Sequence, residues 1–129
     1  MKKMKRSLIY TLLLLFVPIV AQAQSVNLTP WPKSITTGSG MFVFPKTFNI
    51  NTINLDAAQM TEVKSFAADF SNATGLTATV ASDDSAPVNV LYSSSVTDPE
   101  GYNLTITSSK ISLQASTAVG VFYGLQSLK

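Results

Sequence analysis

The spacing of apolar side chains changes several times along this chain, and each change predicts an element. Leu8 to Val20 is a nearly unbroken apolar run, interrupted by Tyr10, Thr11 and Pro18. From Ser25 to Thr36 the two prolines flanking Trp31 deny a helix and fix an extended, edge-like entry. Gly38-Ser39-Gly40 turns the chain toward Met41-Phe42-Val43-Phe44, which reads as a short strand ended by Pro45. Thr47 to Asn51 alternates as a second strand, so the start of the domain looks hairpin-like. From about Asp56 to Thr74 the period becomes 3.6. Met60, Val63, Phe66, Ala67 and Phe70 then share one stripe, while Glu62, Lys64, Ser65, Asp69 and Asn72 fall mostly off it. Asn54 or Asp56 can cap this helix, and Gly75 stands where a left-handed residue would end it. Phe66 and Phe70 lie four apart on that stripe and are assigned to the core rather than to an aromatic platform for sugar.

Beyond Gly75, Leu76 to Ala81 and Val88 to Tyr92 read as strands separated by a solvated turn at Asp83 to Pro87, and Ser93 to Pro99 as a polar loop. Tyr102, Leu104 and Ile106 alternate with polar residues, as do Ile111, Leu113 and Ala115 after a Ser108-Ser109 turn, which makes a β-hairpin with one apolar face. Ser116 or Thr117 then caps a final helix with Val121, Phe122, Leu125 and Leu128 along one stripe. Hairpins and two helices sum to one α+β domain, without internal repeats, over residues 24–129.

The opening segment is a signal peptide by pattern: Lys2, Lys3, Lys5 and Arg6 precede the apolar run, and Ala21-Gln22-Ala23 supplies small residues for cleavage after Ala23. That run is too short for the ~20 residues a membrane-spanning helix needs, so residues 1–23 are expected to leave an exported, periplasmic or extracellular protein without a stable membrane anchor. Cleavage also reverses the charge. Four of nine basic residues go with the leader, leaving five lysines against seven acids, a net −2 with no Arg, which is no footprint for nucleic acid. Neither Cys nor His occurs. A thiol nucleophile, a Ser-His-Asp triad and an ordinary zinc site are therefore excluded from this chain, and the fold must be held by its core alone.

Carboxylates are the remaining candidates for chemistry. Asp83-Asp84 sits in a Ser/Ala/Pro turn and Asp98-Pro99-Glu100 in a second one. A general acid needs burial or a charged neighbour to raise its pKa, and turn carboxylates are expected to be solvated. A Ca²⁺ site at Asp83-Asp84 would need six to eight oxygens from a shaped loop. No catalytic, cofactor-binding or metal-binding residue is assigned. Trp31 is the one residue with a sugar-stacking option, against packing over the sheet edge or a partner. Asn27, Asn72 and Asn103 begin Asn-x-Ser/Thr sequons, which matter only in a host that glycosylates exported proteins.

Four features occur in a telling order: Leu28-Thr29-Pro30-Trp31-Pro32-Lys33, an amphipathic helix closing on a Gly, Glu100-Gly101-Tyr102-Asn103-Leu104 opening a hairpin, and Gly120-Val121-Phe122-Tyr123-Gly124-Leu125-Gln126-Ser127-Leu128. Together they resemble the N-terminal domain of bacterial β-N-acetylhexosaminidases of glycoside hydrolase family 20, over nearly the whole mature chain. The alternating runs and hairpins predict an α+β fold with a mainly antiparallel sheet and two helices packed on one face; the resemblance implies that these helices lie between the sheet and a following catalytic (β/α)8 barrel. It implies a parent enzyme that releases terminal β-linked N-acetylglucosamine or N-acetylgalactosamine by substrate-assisted chemistry. That route needs an Asp-Glu pair, and no Asp-Glu step occurs here. The expected role is to brace the barrel and, through it, to meet the amino-sugar glycan. The rival is a free-standing secreted module binding glycans or proteins through the sheet face or the Trp31 edge.

Overall fold

A computed structural model describes residues 32–129; the leader, Asn27 and Trp31 lie outside the described residues. Five strands and two helices follow in the order β1 (Thr47–Ile53), α1 (Ala57–Thr74), β2 (Thr77–Val80), β3 (Val88–Tyr92), β4 (Tyr102–Ile106), β5 (Ile111–Ala115) and α2 (Ala118–Gln126). The sheet order is β2-β1-β3-β5-β4. β1 pairs in parallel with both β2 and β3, β3 pairs in parallel with β5, and only β4 with β5 is antiparallel. The sheet is thus mixed and mostly parallel. The expected mainly antiparallel sheet is corrected.

The register explains why short links misled the reading of the sequence. Parallel neighbours normally need a crossover of a dozen or more residues, which α1 supplies between β1 and β2. The link 81–87 is far shorter, yet it joins two strands that both run parallel to β1. It succeeds because β2 and β3 are staggered: Val80, near the end of one, and Val88, at the start of the other, both lie level with Ile50. The link only has to step across β1. It crosses on the face away from the helices, where Ala81 N–H donates to Ile50 O (3.1 Å) and Asp83 N–H to Asn51 Oδ1 (3.1 Å). Asn51 Nδ2 donates to Asn89 Oδ1 (3.2 Å), and Asn89 Nδ2 to Ala86 O (3.0 Å). Asn51 and Asn89 are buried under this link, and their bonds are what makes burying two amides tolerable.

The opposite face is apolar. Phe48, Ile50, Val88, Val90, Ile111, Leu113 and Ala115 form it, and Val63, Phe66, Ala67 and Phe70 of α1 with Val121 and Leu125 of α2 cover it. Each such side chain stabilises the fold by about 1.5–3 kcal/mol when fully buried, Ala less. Phe66 and Phe70 are core, as their spacing predicts. Phe70 also meets Phe44 and Phe48, with ring centroids at 4.9 and 6.0 Å. Met41 to Phe44, expected as a strand, joins no ladder: Phe42 and Phe44 pack inward on the core while Met41 and Val43 face solvent, so the alternation is real but finds no strand partner.

Local capping follows the sequence. Asp56 rather than Asn54 caps α1, in a reciprocal box: Gln59 N–H donates to Asp56 Oδ1 (2.7 Å) and Asp56 N–H to Gln59 Oε1 (3.0 Å). Gly75 closes the helix in the left-handed region, with φ 74°. Asn54 takes φ 56° in the preceding turn, which Asn tolerates better than most residues. At α2, Thr117 accepts from Gly120 N–H (3.1 Å) and donates to Pro99 O.

α2 reaches the sheet through glycines. A Cβ on Gly120 would lie 2.3 Å from Gly101 O, and one on Gly124 would lie 2.2 Å from Leu113 Cδ1. Helix propensity favours Ala over Gly by about 1 kcal/mol, whereas forcing a methyl into a closed contact costs about 1–3 kcal/mol. At Gly120 the obstacle is backbone, which cannot swing away. Gly120→Ala is therefore expected to lower Tm by about 5 °C or more in a thermal melt of this domain, whereas Val119→Ala, one residue away and exposed, should change it little. A raised Tm for Gly120→Ala would mean that the contact is loose.

Candidate functional site

The two candidate carboxylate turns sit at opposite ends of the sheet and share no cavity. Asp83 belongs to the crossing link beside the start of β3, and Asp98 to the 93–101 loop beside the end of β5. Asp83 Oδ1 accepts from Ser85 Oγ (2.6 Å) and Ser85 N–H (2.9 Å), and Oδ2 accepts from Asn49 Nδ2 (2.8 Å). These donors, the Ser85 hydroxyl first, hold its carboxyl below the ordinary value. Its neighbour Asp84 is exposed. Asp98 accepts from Lys33 Nζ (2.8 Å) and Glu100 N–H (3.0 Å), and that pairing with Lys33 lowers its pKa and raises that of Lys33. Glu100 points to solvent.

Both shifts run the wrong way for a general acid, which must be held protonated near neutrality. They run the right way for pinning loops. Asp83 fastens the crossing link to β1, and Asp98 ties the N-terminal arm to the loop whose Pro99 carbonyl receives the cap of α2. Among the described residues no three Asp or Glu side chains gather in a group fit for a metal ion.

Besides Met41 and Val43 on the N-terminal arm and Tyr92 and Ile106 at strand ends, unused apolar side chains lie on the outer face of the helical layer. Val121 and Leu125 turn to the sheet, while Val119 and Phe122, three apart and on one side of α2, keep 46 and 42% of their surface exposed. Beside them runs a shallow groove of about 40 Å³ lined by Glu62, Phe66 and Asp69 of α1 and by Phe122, Gln126 and Lys129. Lys129 closes one end, with Nζ 3.4 Å from Asp69 Oδ2 and 5.9 Å from the Phe66 ring centroid. The sequence shows a surplus of apolar residues on α2, because Val119, Val121, Phe122, Tyr123, Leu125 and Leu128 exceed what one face needs. It does not show that the amides Asn51, Gln59 and Asn89 are buried. For Asn89 the one available signal was an Asn inside the otherwise apolar Val88–Tyr92, while Asn51 stands in β1 beside Asn49 and Thr52 and had none.

Comparison with known proteins agrees with this geometry. The model of glycosyl hydrolase family 20, domain 2, matches residues 25–129. Similar solved structures include a Flavobacterium johnsoniae chitobiase, 24% identical over 80% of this chain with a TM-score of 0.66. A Streptomyces plicatus N-acetyl-β-hexosaminidase is 21% identical over 75% of this chain, at 0.67. An exo-β-N-acetylglucosaminidase of Vibrio harveyi is 15% identical over 77%, at 0.66. The match spans only 17, 19 and 15% of those chains. Among curated proteins none matches.

A pH test separates pinning from catalysis. Because the folded-state pKa of Asp83 lies below its ordinary 3.8, its contribution to stability is present above that value and is lost as pH falls below it. Asp83→Asn should therefore flatten the decline of Tm between about pH 4 and about pH 2 while leaving its course near neutrality unchanged. An unaltered acid limb would show that the carboxylate does not hold the link.

Proposed function

The chain belongs to glycosyl hydrolase family 20, whose domain 2 it matches over residues 25–129, and from that premise we propose that it is the non-catalytic N-terminal domain of an exported β-N-acetylhexosaminidase, bracing a catalytic barrel. A (β/α)8 barrel takes about 250 residues, far more than this chain holds, and beyond residue 23 there is neither the Asp-Glu step nor any Arg of the kind the family's chemistry uses. The substrate, a terminal β-linked N-acetylhexosamine, would be met by the barrel and not by this domain. Export is supported by the leader pattern of residues 1–23.

The observation that carries the bracing role is the outward pair Val119 and Phe122 on α2. The core is complete without them: Val121 and Leu125 already fill the space above β5, and Gly120 and Gly124 bring that side of the helix into contact with the sheet and the Gly101 turn. Two large apolar side chains left wet on a helix that is otherwise fully seated are more economically read as contact residues than as core. The groove between α1 and α2 adds charged rims at Glu62 and Asp69, which suits the polar border of an interface.

Three outcomes are expected. The purified chain should not turn over an aryl β-N-acetylglucosaminide; hydrolysis that survives repurification and is abolished by Glu100→Gln would overturn the reading. The chain should bind a hydrophobic dye, and adding the barrel of its parent enzyme should suppress that signal. A Val119→Ser, Phe122→Ser double variant should keep its fold, since exposed substitutions usually stay within about 0.5 kcal/mol, yet lose capture of the barrel in a pull-down. Undiminished capture would place the contact elsewhere.

A further inference from the structure

The face of the sheet away from the helices carries a second feature, which neither the core nor the bracing role uses. A depression of about 260 Å³ opens there, lined by Pro45, Thr47, Phe48, Asn49, Asp83, Ser85 and Pro87. Its polar groups are held in place. Asp83 is fixed by three hydrogen bonds, two from Ser85 and one from Asn49, at 2.6 to 2.9 Å. A carboxylate offers about four lone-pair sites, so one remains to accept from a ligand. Asn49 spends only one of its two amide protons on Asp83.

The chemistry of this lining narrows the ligand. No Lys, Arg or His is among the lining residues, which disfavours phosphate or carboxylate ligands. An ionised carboxylate beside an amide and a hydroxyl can accept from and donate to adjacent alcohol groups, and bonds to the charged oxygen are the stronger ones. Pro45 and Pro87 add apolar surface to the lining, against which the C–H groups of a saturated ring can rest. We propose that this depression is a surface binding site for a neutral polyhydroxylated ring, a pyranose unit of a glycan chain, separate from any catalytic pocket. Because it lies on the face opposite α1 and α2, it stays open when the helical layer is covered. Its groups are already oriented, so little ordering is needed on binding, but a shallow, open site of this kind supports only weak affinity.

The choice of probe rests on the family reading, whereas the site rests on its lining, and the experiment separates the two. Titrating the isotope-labelled chain with chitotriose, followed by amide shifts, should move Thr47, Asn49, Asp83 and Ser85 along saturable curves with a Kd on the order of 1 mM. Thr47→Arg, whose side chain fills the depression and can pair with Asp83, should weaken this about tenfold or more while the amides of Leu113 and Val121 stay in place. Asp83→Asn should weaken it too, and Thr47→Arg should leave barrel capture intact. The same four amides responding to maltotriose but not to chitotriose would support the site and count against the amino-sugar reading. No saturable shift with either sugar up to about 20 mM, or shifts indifferent to Thr47→Arg, would overturn the proposal.

Discussion

The level of Ile50 governs the sheet. Val80, near the end of β2, and Val88, at the start of β3, both stand beside it, and only because they do can residues 81–87 carry the chain from one side of β1 to the other. Had β2 paired with the full length of β1, the link would have had to run back along the strand, and a helix-length crossover would have been needed. The stagger therefore sets the strand order. It also puts a peptide segment across one face of β1, and that segment is why polar Asn51 and Asn89 are buried where a parallel sheet would ordinarily show only apolar side chains.

The two faces of the sheet consequently do different work. The helical face is a dry core in which α2 is seated by backbone contact, Gly120 against the Gly101 turn and Gly124 against Leu113. Such a seat fixes which side of α2 turns inward, and so which side is left to the solvent: the exposure of Val119 and Phe122 follows from the glycines. The other face is a hydrogen-bonded surface of Asn49, Asn51, Asp83 and Asn89. One face is suited to an apolar partner and the other to a hydroxyl-bearing one.

The carboxylates illustrate how position overrides composition. Asp83 and Asp98 are the two acids with displaced pKa values, and in both the cause is a set of donors that stabilises the charge. Neither is desolvated toward the protonated form that acid catalysis requires. They act as fixings for the crossing link and for the arm that carries Lys33. Exposed pairs of this kind contribute little stability each, so their value lies in choosing one loop path among several.

Much was legible from the sequence, for local reasons. The α1 stripe, its end at Gly75, the β4–β5 hairpin and the capping of α2 at Ser116 or Thr117 depend on side-chain period and on bonds within a few residues, and these are written into neighbouring positions. The core assignment of Phe66 and Phe70 was legible for the same reason. Strand direction was not. A short polar link such as 81–87 suggests a reversal, and nothing local to it reveals that Val80 and Val88 align with the same residue of β1. Met41 to Phe44 has a strand's alternation but no ladder, because a strand needs a partner as well as a pattern. The buried amides were equally hidden, since only the tertiary path of the link brings Asp83 and Ala86 over Asn51 and Asn89. The sequence determined the helices, the β4–β5 hairpin and which apolar side chains turn inward. The tertiary structure decided direction, register and the face left exposed, because these depend on contacts between residues far apart in the chain.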